Sequence, residues 1–158
     1  MIIWLASYPK SGNTWVRLFL NALLHAENEL DINNIKIQQF PNKKYFKNIL
    51  ENFNNYETII NSCLDAQYVI NLDNEVKFMK THSACWKTDK SSFTNYENTL
   101  GVIHVVRDPR NVITSLKNHY KKGNLETTLK FMMDEKKFIG SKDFKEEFDI
   151  PTLISSWS

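Results

Sequence analysis

The chain has 158 residues, of which 42% are apolar and 24% are charged, and its net charge is +2. This length and composition predict a single globular domain over residues 1–158 with a substantial core. The small net charge gives no reason to expect nucleic acid or an anionic membrane as a partner. The two cysteines are too few for a disulfide framework, and no spacing of cysteine or histidine indicates a metal site.

No apolar stretch of the sequence approaches the ~20 residues that a membrane-spanning helix needs. The N-terminus has no basic region before its apolar residues, so it lacks the pattern of a signal peptide. Together with the small number of cysteines, these observations predict a cytoplasmic protein without a membrane partner.

The first informative stretch is the polar turn at residues 7–15, which lies between two apolar segments. Residues 1–6 are short and almost wholly apolar, and this predicts a strand buried on both faces. Residues 15–24 are rich in helix formers and apolar on most sides, and this predicts a buried helix. A turn from strand to helix directs backbone N–H groups and the positive end of the helix dipole at one point. We therefore expect a phosphate site here.

Lys10 adds a mobile cation to this turn, and Ser11, Asn13 and Thr14 add short polar side chains. The turn does not match the G-x-x-x-x-G-K-[ST] loop of ATPases, because Lys10 comes two residues before Gly12, the only glycine of the turn. The pattern therefore favours a phosphate site of another kind.

The segment after the first helix carries less information. Residues 25–44 are polar with isolated apolar side chains, which predicts a loop. Apolar residues then recur at three- and four-residue spacing, which predicts an amphipathic helix over 45–53 that ends at the following pair of asparagines. Residues 56–75 suit a helix, although 68–70 could be extended. Two interpretations of this region stay open: surface packing, or shaping of a pocket for an acceptor substrate.

The second informative stretch is residues 76–82, in which apolar side chains are followed by polar ones. The pattern predicts a short strand whose carboxyl end carries Lys80, Thr81 and His82. Ligands bind at that end of the strands in an open α/β sheet. His82 is either a structural hydrogen-bonding residue or a general base, since the unperturbed pKa of imidazole, ~6.5, lies close to working pH.

The third informative stretch is the clearest junction between a strand and a helix in the chain. β-branched residues predict a central strand over 102–106, in which His104 is expected to be a packed core residue. Asp108 and Pro109 are preferred residues at the start of a helix. Basic residues and a glycine at 121–123 predict where this helix ends.

Arg107 lies at this junction, and Ser115 follows eight residues later. On a helix that begins at Asp108, Ser115 falls on the same face as the helix start. The two side chains can therefore converge on one anion, for which a guanidinium offers several donors in a planar fork. The alternative is that Arg107 pairs with a carboxylate while Ser115 faces solvent.

The stretches at 7–15, 80–82 and 107–115 resemble, in this order, three segments of the PAPS-dependent sulfotransferases, where PAPS is 3′-phosphoadenosine 5′-phosphosulfate. The first resembles the 5′-phosphosulfate loop of that family, the second its Lys-Thr-His segment, and the third its 3′-phosphate segment. The resemblance implies a three-layer α/β fold with a central parallel sheet, similar to that of P-loop proteins. It also implies transfer of a sulfuryl group from PAPS to the hydroxyl or amine of a small-molecule acceptor, without a metal.

The resemblance assigns roles to individual residues. His82 would be the general base, and Lys10 and Lys80 would stabilise negative charge on the departing phosphate. Trp15 would pack against the adenine, although its residue type alone would assign it to the core. Asn13 stands where many members of the family have threonine. The residues that would bind PAPS are Lys10, Ser11, Gly12, Asn13, Thr14, Trp15, Arg107 and Ser115.

The last part of the chain predicts an amphipathic helix over 125–133 and the start of a further helix over 150–158. Members of the family are longer, and nothing here matches their late Arg-Lys-Gly segment. The chain is either truncated at its C-terminus or a shortened relative that completes its sheet in another way. We favour truncation, and we expect the exposed apolar edge to be covered by self-association. Two other functions stay open: a catalytically inactive nucleotide-binding fragment and a phosphate-loop nucleotide kinase.

Overall fold

The computed structural model describes residues 1–25, 35–53, 55–120, 124–140 and 150–157. The strands are β1 (Ile2–Ser7), β2 (Gln38–Gln39), β3 (Lys77–Thr81), β4 (Thr99–Val105), β5 (Phe138–Ile139) and β6 (Thr152–Leu153). The helices are α1 (Asn13–His25), α2 (Tyr56–Asn61), α3 (Cys63–Asn71), α4 (Pro109–His119) and α5 (Leu125–Met132). The first four strands form a parallel sheet in the order β2-β3-β1-β4, and β5 and β6 form a separate antiparallel ribbon.

The predicted α/β fold is confirmed, because helices flank a central parallel sheet. β1 lies between β3 and β4, and most of its side chains are buried, as expected for a strand covered on both faces. In the register of the sheet, Ala6 pairs with Thr81, and Ser7 pairs with Val105. The carboxyl ends of these three strands therefore meet at one edge of the sheet.

The main core is built around Trp4 of β1. The centroid of its ring lies 5.0 Å from that of Phe93 and 5.6 Å from that of Phe40. Aromatic pairs at such distances stabilise a fold by about 0.5–1.5 kcal/mol beyond the burial of their area. A second, smaller core joins α4, α5 and the residues near β6, and contains Val112, Leu116, Phe131, Met132 and Ile154.

α1 forms where a helix was predicted, but it is not buried as predicted. Its fully buried residues are Asn13 and Asn21, whereas Phe19 and Leu23 are 65% and 68% exposed. A helix that is apolar on most sides is usually buried, which is why burial was predicted. Because its apolar residues do not lie on one face, the sequence does not indicate which side of the helix is covered.

The prediction of an amphipathic helix over 45–53 is wrong. A short 3-10 turn at Lys43–Tyr45 stands at its start, and Asn42 caps this turn by accepting a hydrogen bond from the N–H of Lys44 at 3.0 Å. Phe46 is fully buried in the main core. Packing of aromatic rings, rather than helical periodicity, therefore sets the path of the chain in this region.

The ambiguous stretch 56–75 is largely helical, because α2 and α3 occupy most of it. Asn55, which was expected to end a helix, begins α2 instead: its side chain accepts a hydrogen bond from the N–H of Glu57 at 2.9 Å. Asparagine is preferred at such a capping position. Asn54 lies outside the described residues.

Among the described strands, β4 forms an edge of the sheet rather than the central strand that was predicted. His104, expected in the core, is exposed, and Val102 is 59% exposed. β-branched residues favour strands, but they do not indicate whether a strand lies at the centre or at the edge of a sheet. The helix end predicted at 121–123 lies outside the described residues.

The C-terminal residues form a strand where a helix was predicted. α5 confirms the helix predicted over 125–133, but β6 replaces the helix expected from residue 150 onward and pairs with β5. Ile154 is buried, and Trp157 packs against the second core. These apolar side chains therefore have partners within the molecule and are not a reason to expect self-association. Within the described ranges, no helix has the length and apolar character that crossing a membrane requires.

Self-association of the chain stays a prediction, and among the described residues β4 offers the surface for it, since it is paired on one side. Unpaired edge strands can pair with another copy, and a lysine on the edge opposes this. We expect the elution volume to fall as protein concentration rises, and we expect Val102→Lys to abolish the shift. Leu72→Lys, at the exposed end of α3, is the matched control. One elution position at all concentrations would contradict the prediction.

Candidate active site

A cleft of about 720 Å³ opens at the carboxyl ends of β1 and β3. Residues from the turn after β1, the start of α1, the end of β3 and one side of α4 form its walls. The predicted site residues that line it are Lys10, Gly12, Asn13, Thr14, Trp15, Lys80, His82, Arg107 and Ser115. Ser11 is buried within the turn. The three informative stretches of the sequence therefore meet at one cleft.

The turn between β1 and α1 contains two residues with left-handed backbone conformations. Lys10 has a φ of 69°, and Gly12 has a φ of 103°. A Cβ at Gly12 would meet no atom within 4 Å, so backbone conformation rather than space favours glycine there. N–H groups in the first turn of a helix have no partner inside the helix. Because Asn13 and Thr14 line the cleft, the positive end of α1 borders it.

Two buried polar side chains in this turn differ in what they offer an anion. The Oγ atom of Ser11 has no hydrogen-bond partner in the described part of the chain, so its hydroxyl is available as a donor. Asn13, in contrast, already donates from Nδ2 to the carbonyl of Leu5 and to Oγ of Ser7, each at 3.0 Å. Its Oδ1 atom can only accept hydrogen bonds. The backbone N–H of Asn13, rather than its side chain, is therefore the group that can serve an anion.

His82 follows β3, and its Nδ1 atom lies 2.8 Å from the carbonyl oxygen of Ser7. The Oγ atom of Ser7 is 3.3 Å from the same nitrogen. The pKa of His82 is lowered from 6.5 to about 4, mainly by burial and also by the positive charges of Lys80 and Lys10, while the hydrogen bond to Ser7 opposes the shift. The imidazole is therefore neutral at pH 7.

Lys80 carries a positive charge that is partly withdrawn from water. Its Nζ atom donates a hydrogen bond to Oε1 of Gln39 at 2.9 Å. Burial lowers the pKa of Lys80 to about 8, and the positive charge of Arg17 contributes to this. Since Gln39 is a neutral partner, an anion in the cleft would stabilise the charged form of Lys80.

Arg107 lines the cleft and is hydrogen-bonded to the turn after β1. Its Nη1 atom donates a hydrogen bond to the carbonyl oxygen of Lys10 at 3.1 Å. The nearby carboxylate, Asp108, pairs instead with Arg110, with 2.5 Å between Nη2 and Oδ2. Asp108 also caps α4, as predicted, by accepting a hydrogen bond from the N–H of Arg110. Ser115 is half-buried and lines the cleft, so it lies on the same cavity as Arg107.

Trp15 is 78% exposed and lines the cleft. The assignment to the core, which its residue type alone would give, is therefore wrong. An exposed indole offers a flat apolar face on which a planar ring can stack.

Several residues that the sequence did not single out also line the cleft: Gln39, His119, Tyr120 and Ile139. Gln39 belongs to β2, within the segment predicted as a loop, and two glutamines carry no signal for a strand. The sequence could have identified His119 as a cleft residue, because it lies four residues after Ser115 and hence on the same helix face.

The cleft combines three cationic side chains, Lys10, Lys80 and Arg107, and the unpaired hydroxyl of Ser11 is buried in the turn beside it. In the described ranges, no three side chains of the types that bind metals come together as a metal site. The family model of the sulfotransferase domain matches residues 2–157, nearly the whole chain and all of the cleft. No curated protein matches the chain. The chain therefore belongs to the sulfotransferase domain family, and it is a transferase enzyme.

Proposed function

We propose that this protein transfers a sulfuryl group from PAPS to a hydroxyl or amine of a small-molecule acceptor, with His82 as the general base. The observation that carries the proposal is that one cleft is lined both by the turn of Lys10 and by Arg107 and Ser115. A nucleotide with phosphate groups at its 3′ and 5′ positions is an anion at two ends. A cleft lined by the ammonium of Lys10 and the guanidinium of Arg107 offers cationic donors for both of its phosphates.

The residues of the cleft fit such a nucleotide. The turn would hold the 5′ end through the ammonium of Lys10, the hydroxyl of Ser11 and the backbone N–H groups at the start of α1. Arg107 and Ser115 would hold the 3′-phosphate, since guanidinium and hydroxyl groups both donate to phosphate oxygens. The exposed indole of Trp15 would stack on the adenine.

When bound, PAPS supplies the sulfuryl group and a phosphate leaving group. His82 would take the proton of the acceptor as the acceptor oxygen forms its bond to sulfur. Lys10 and Lys80 would place positive charge where negative charge builds as the bond from sulfur to the phosphate oxygen breaks. Positioning and electrostatics of this kind can supply most of the catalysis in group transfer.

The low pKa of His82 fits this role once the cleft holds an anion. Lys80 and Lys10 both lower the pKa of His82 in the free protein. A bound anion offsets these positive charges but not the burial, which is the largest cause of the shift, so the pKa of His82 rises by part of its difference from the ordinary value of imidazole. The base would therefore become stronger when the donor is in place.

Experiments can distinguish two other functions from sulfuryl transfer. A protein that binds the nucleotide without turnover would show affinity for adenosine 3′,5′-bisphosphate and no sulfuryl transfer. A phosphate-loop nucleotide kinase would require magnesium together with ATP.

The first test is calorimetry with adenosine 3′,5′-bisphosphate in metal-free buffer. We expect binding, and we expect Arg107→Ala to weaken it by about 10- to 100-fold, which corresponds to the loss of about 1.5–3 kcal/mol of charged hydrogen bonds. Arg110→Ala is the matched control, because this neighbouring arginine pairs with Asp108 and does not line the cleft. Equal affinities of the two variants, or binding of ATP with magnesium in place of the bisphosphate, would refute the proposal.

The second test concerns the base. His82→Ala should lower kcat by about 10²- to 10⁴-fold, the range that general acid–base catalysis supplies, and should leave bisphosphate affinity within a few-fold. His104→Ala, on the exposed face of β4, should leave both quantities unchanged. Equal turnover of the His82 variant and the unsubstituted protein would remove His82 from the mechanism. Binding without turnover in the unsubstituted protein would favour the nucleotide-binding alternative.

The third test follows from the pKa of Lys80, which is about 8 in the free protein. A bound anion raises this pKa, so at pH 9 binding of the bisphosphate should take up a proton, whereas at pH 7 Lys80 is charged in both states. Affinity should therefore fall as pH rises above 8. Calorimetry in two buffers of different ionisation enthalpy measures the proton uptake at each pH. Uptake at pH 9 that persists unchanged in Lys80→Gln would contradict the assignment.

A further inference from the structure

A chain of buried polar contacts runs from the start of α1 to His82. Asn13 is 3% exposed and Ser7 is 5% exposed. Nδ2 of Asn13 donates to Oγ of Ser7 at 3.0 Å, and this Oγ lies 3.3 Å from Nδ1 of His82. The carbonyl oxygen of Ser7 lies closer to the same nitrogen, at 2.8 Å. Two oxygens of one residue of β1 therefore face one nitrogen of the imidazole.

The position of the proton on His82 follows from these contacts. A carbonyl oxygen can only accept a hydrogen bond, so Nδ1 must carry the proton in the neutral ring. The other nitrogen, Nε2, is then unprotonated. The hydrogen bond made by one ring nitrogen sets the state of the other.

We propose that Ser7 and Asn13 are positioning residues for His82, which hold its proton on Nδ1 and thereby leave Nε2 as the basic nitrogen available in the cleft. The proposal rests on the proposed role of His82 as general base. Neither Ser7 nor Asn13 takes a proton in the reaction; both act through the imidazole.

Asn13 suits this task because its amide nitrogen has two donors. One donor goes to the carbonyl of Leu5 and the other to Oγ of Ser7, so the start of α1 is attached to β1 at two points. Oγ of Ser7 is held by this contact 3.3 Å from Nδ1 of His82, where it is a second acceptor for the proton on that nitrogen. Threonine, which many members of the family have here, offers one hydroxyl donor and cannot make both contacts. The departure at Asn13 is therefore a feature with its own structural role.

The test is nitrogen-15 NMR of the full chain, in which two-bond proton–nitrogen correlations report the tautomer of each histidine. The sequence has 4 histidines, and His82→Gln identifies the signal of His82. We expect His82 of the unsubstituted protein to carry its proton on Nδ1 at pH 7. A proton on Nε2 would overturn the proposal without any reference to catalysis.

Variants then test what holds the proton in place. Asn13→Ala and Ser7→Ala keep the main-chain carbonyl of Ser7, so we expect the Nδ1 tautomer to stay the major one. Loss of the second oxygen, or of the contact that holds it, should add a minor signal of the other tautomer and lower kcat by about three- to tenfold, the effect of losing about one hydrogen bond. KM for PAPS should change less than kcat. Ser7→Thr, which keeps the hydroxyl, should keep the tautomer and restore kcat.

Asn21→Ala is the matched control for loss of a buried asparagine from the same helix. Oδ1 of Asn21 accepts a hydrogen bond from the N–H of Lys36 at 2.8 Å. This substitution should reduce stability but leave the tautomer of His82 unchanged. If Asn13→Ala and Ser7→Ala showed no more of the second tautomer than Asn21→Ala does, the positioning role would be refuted.

These outcomes separate the present inference from the proposed function. If His82→Ala kept full turnover, the base assignment would fail, and the positioning role with it, whatever the tautomer. If His82→Ala lost turnover but the unsubstituted protein carried its proton on Nε2, the base assignment would stand and the positioning role alone would fail. If Asn13→Ala did not fold, the tautomer of the unsubstituted protein and the pair of Ser7 variants would still decide the matter.

Discussion

The pairing of β1 with two parallel neighbours at once is the constraint on which the rest of the structure depends. β3 and β4 run in the same direction on its two sides, so the chain leaves all three strands at one edge of the sheet. The turn with Lys10, the base candidate His82 and the arginine at position 107 follow these strands directly. Residues nearly 100 positions apart are thereby brought to one cleft, as in other open α/β sheets.

The cleft also concentrates positive charge beside buried groups. Burial together with neighbouring cations holds the pKa of His82 near 4 and that of Lys80 near 8. Both shifts have one physical origin: burial and the neighbouring cations disfavour the charged form of each group as long as no anion is bound. The same charges that make the free cleft electrostatically unfavourable give it affinity for phosphate and for developing negative charge. Perturbed pKa values in a cleft are common at functional sites for this reason.

Local sequence patterns were sufficient to predict the features that depend on residues close together in the chain. The strand, turn and helix around Gly12, the cap at Asp108 and the polar end of β3 could all be predicted, because each is set by residues adjacent in sequence. Burial could not be predicted in the same way. The exposure of His104 and Phe19 depends on which strand lies at the edge and which side of α1 is covered. Gln39 was missed because β2 is a strand through its pairing with β3 and not through its own residue types.

The hydrogen bond between Arg107 and Lys10 has a consequence for how such a site can change. The acceptor is the carbonyl of Lys10, a main-chain atom that every amino acid would supply at this position. This contact is thus encoded separately from the electric charge that the lysine side chain contributes. A substitution at position 10 that tolerates the left-handed backbone there can change the charge of the site and keep the hydrogen bond to Arg107, whereas loss of the guanidinium removes this hydrogen bond and a cation together.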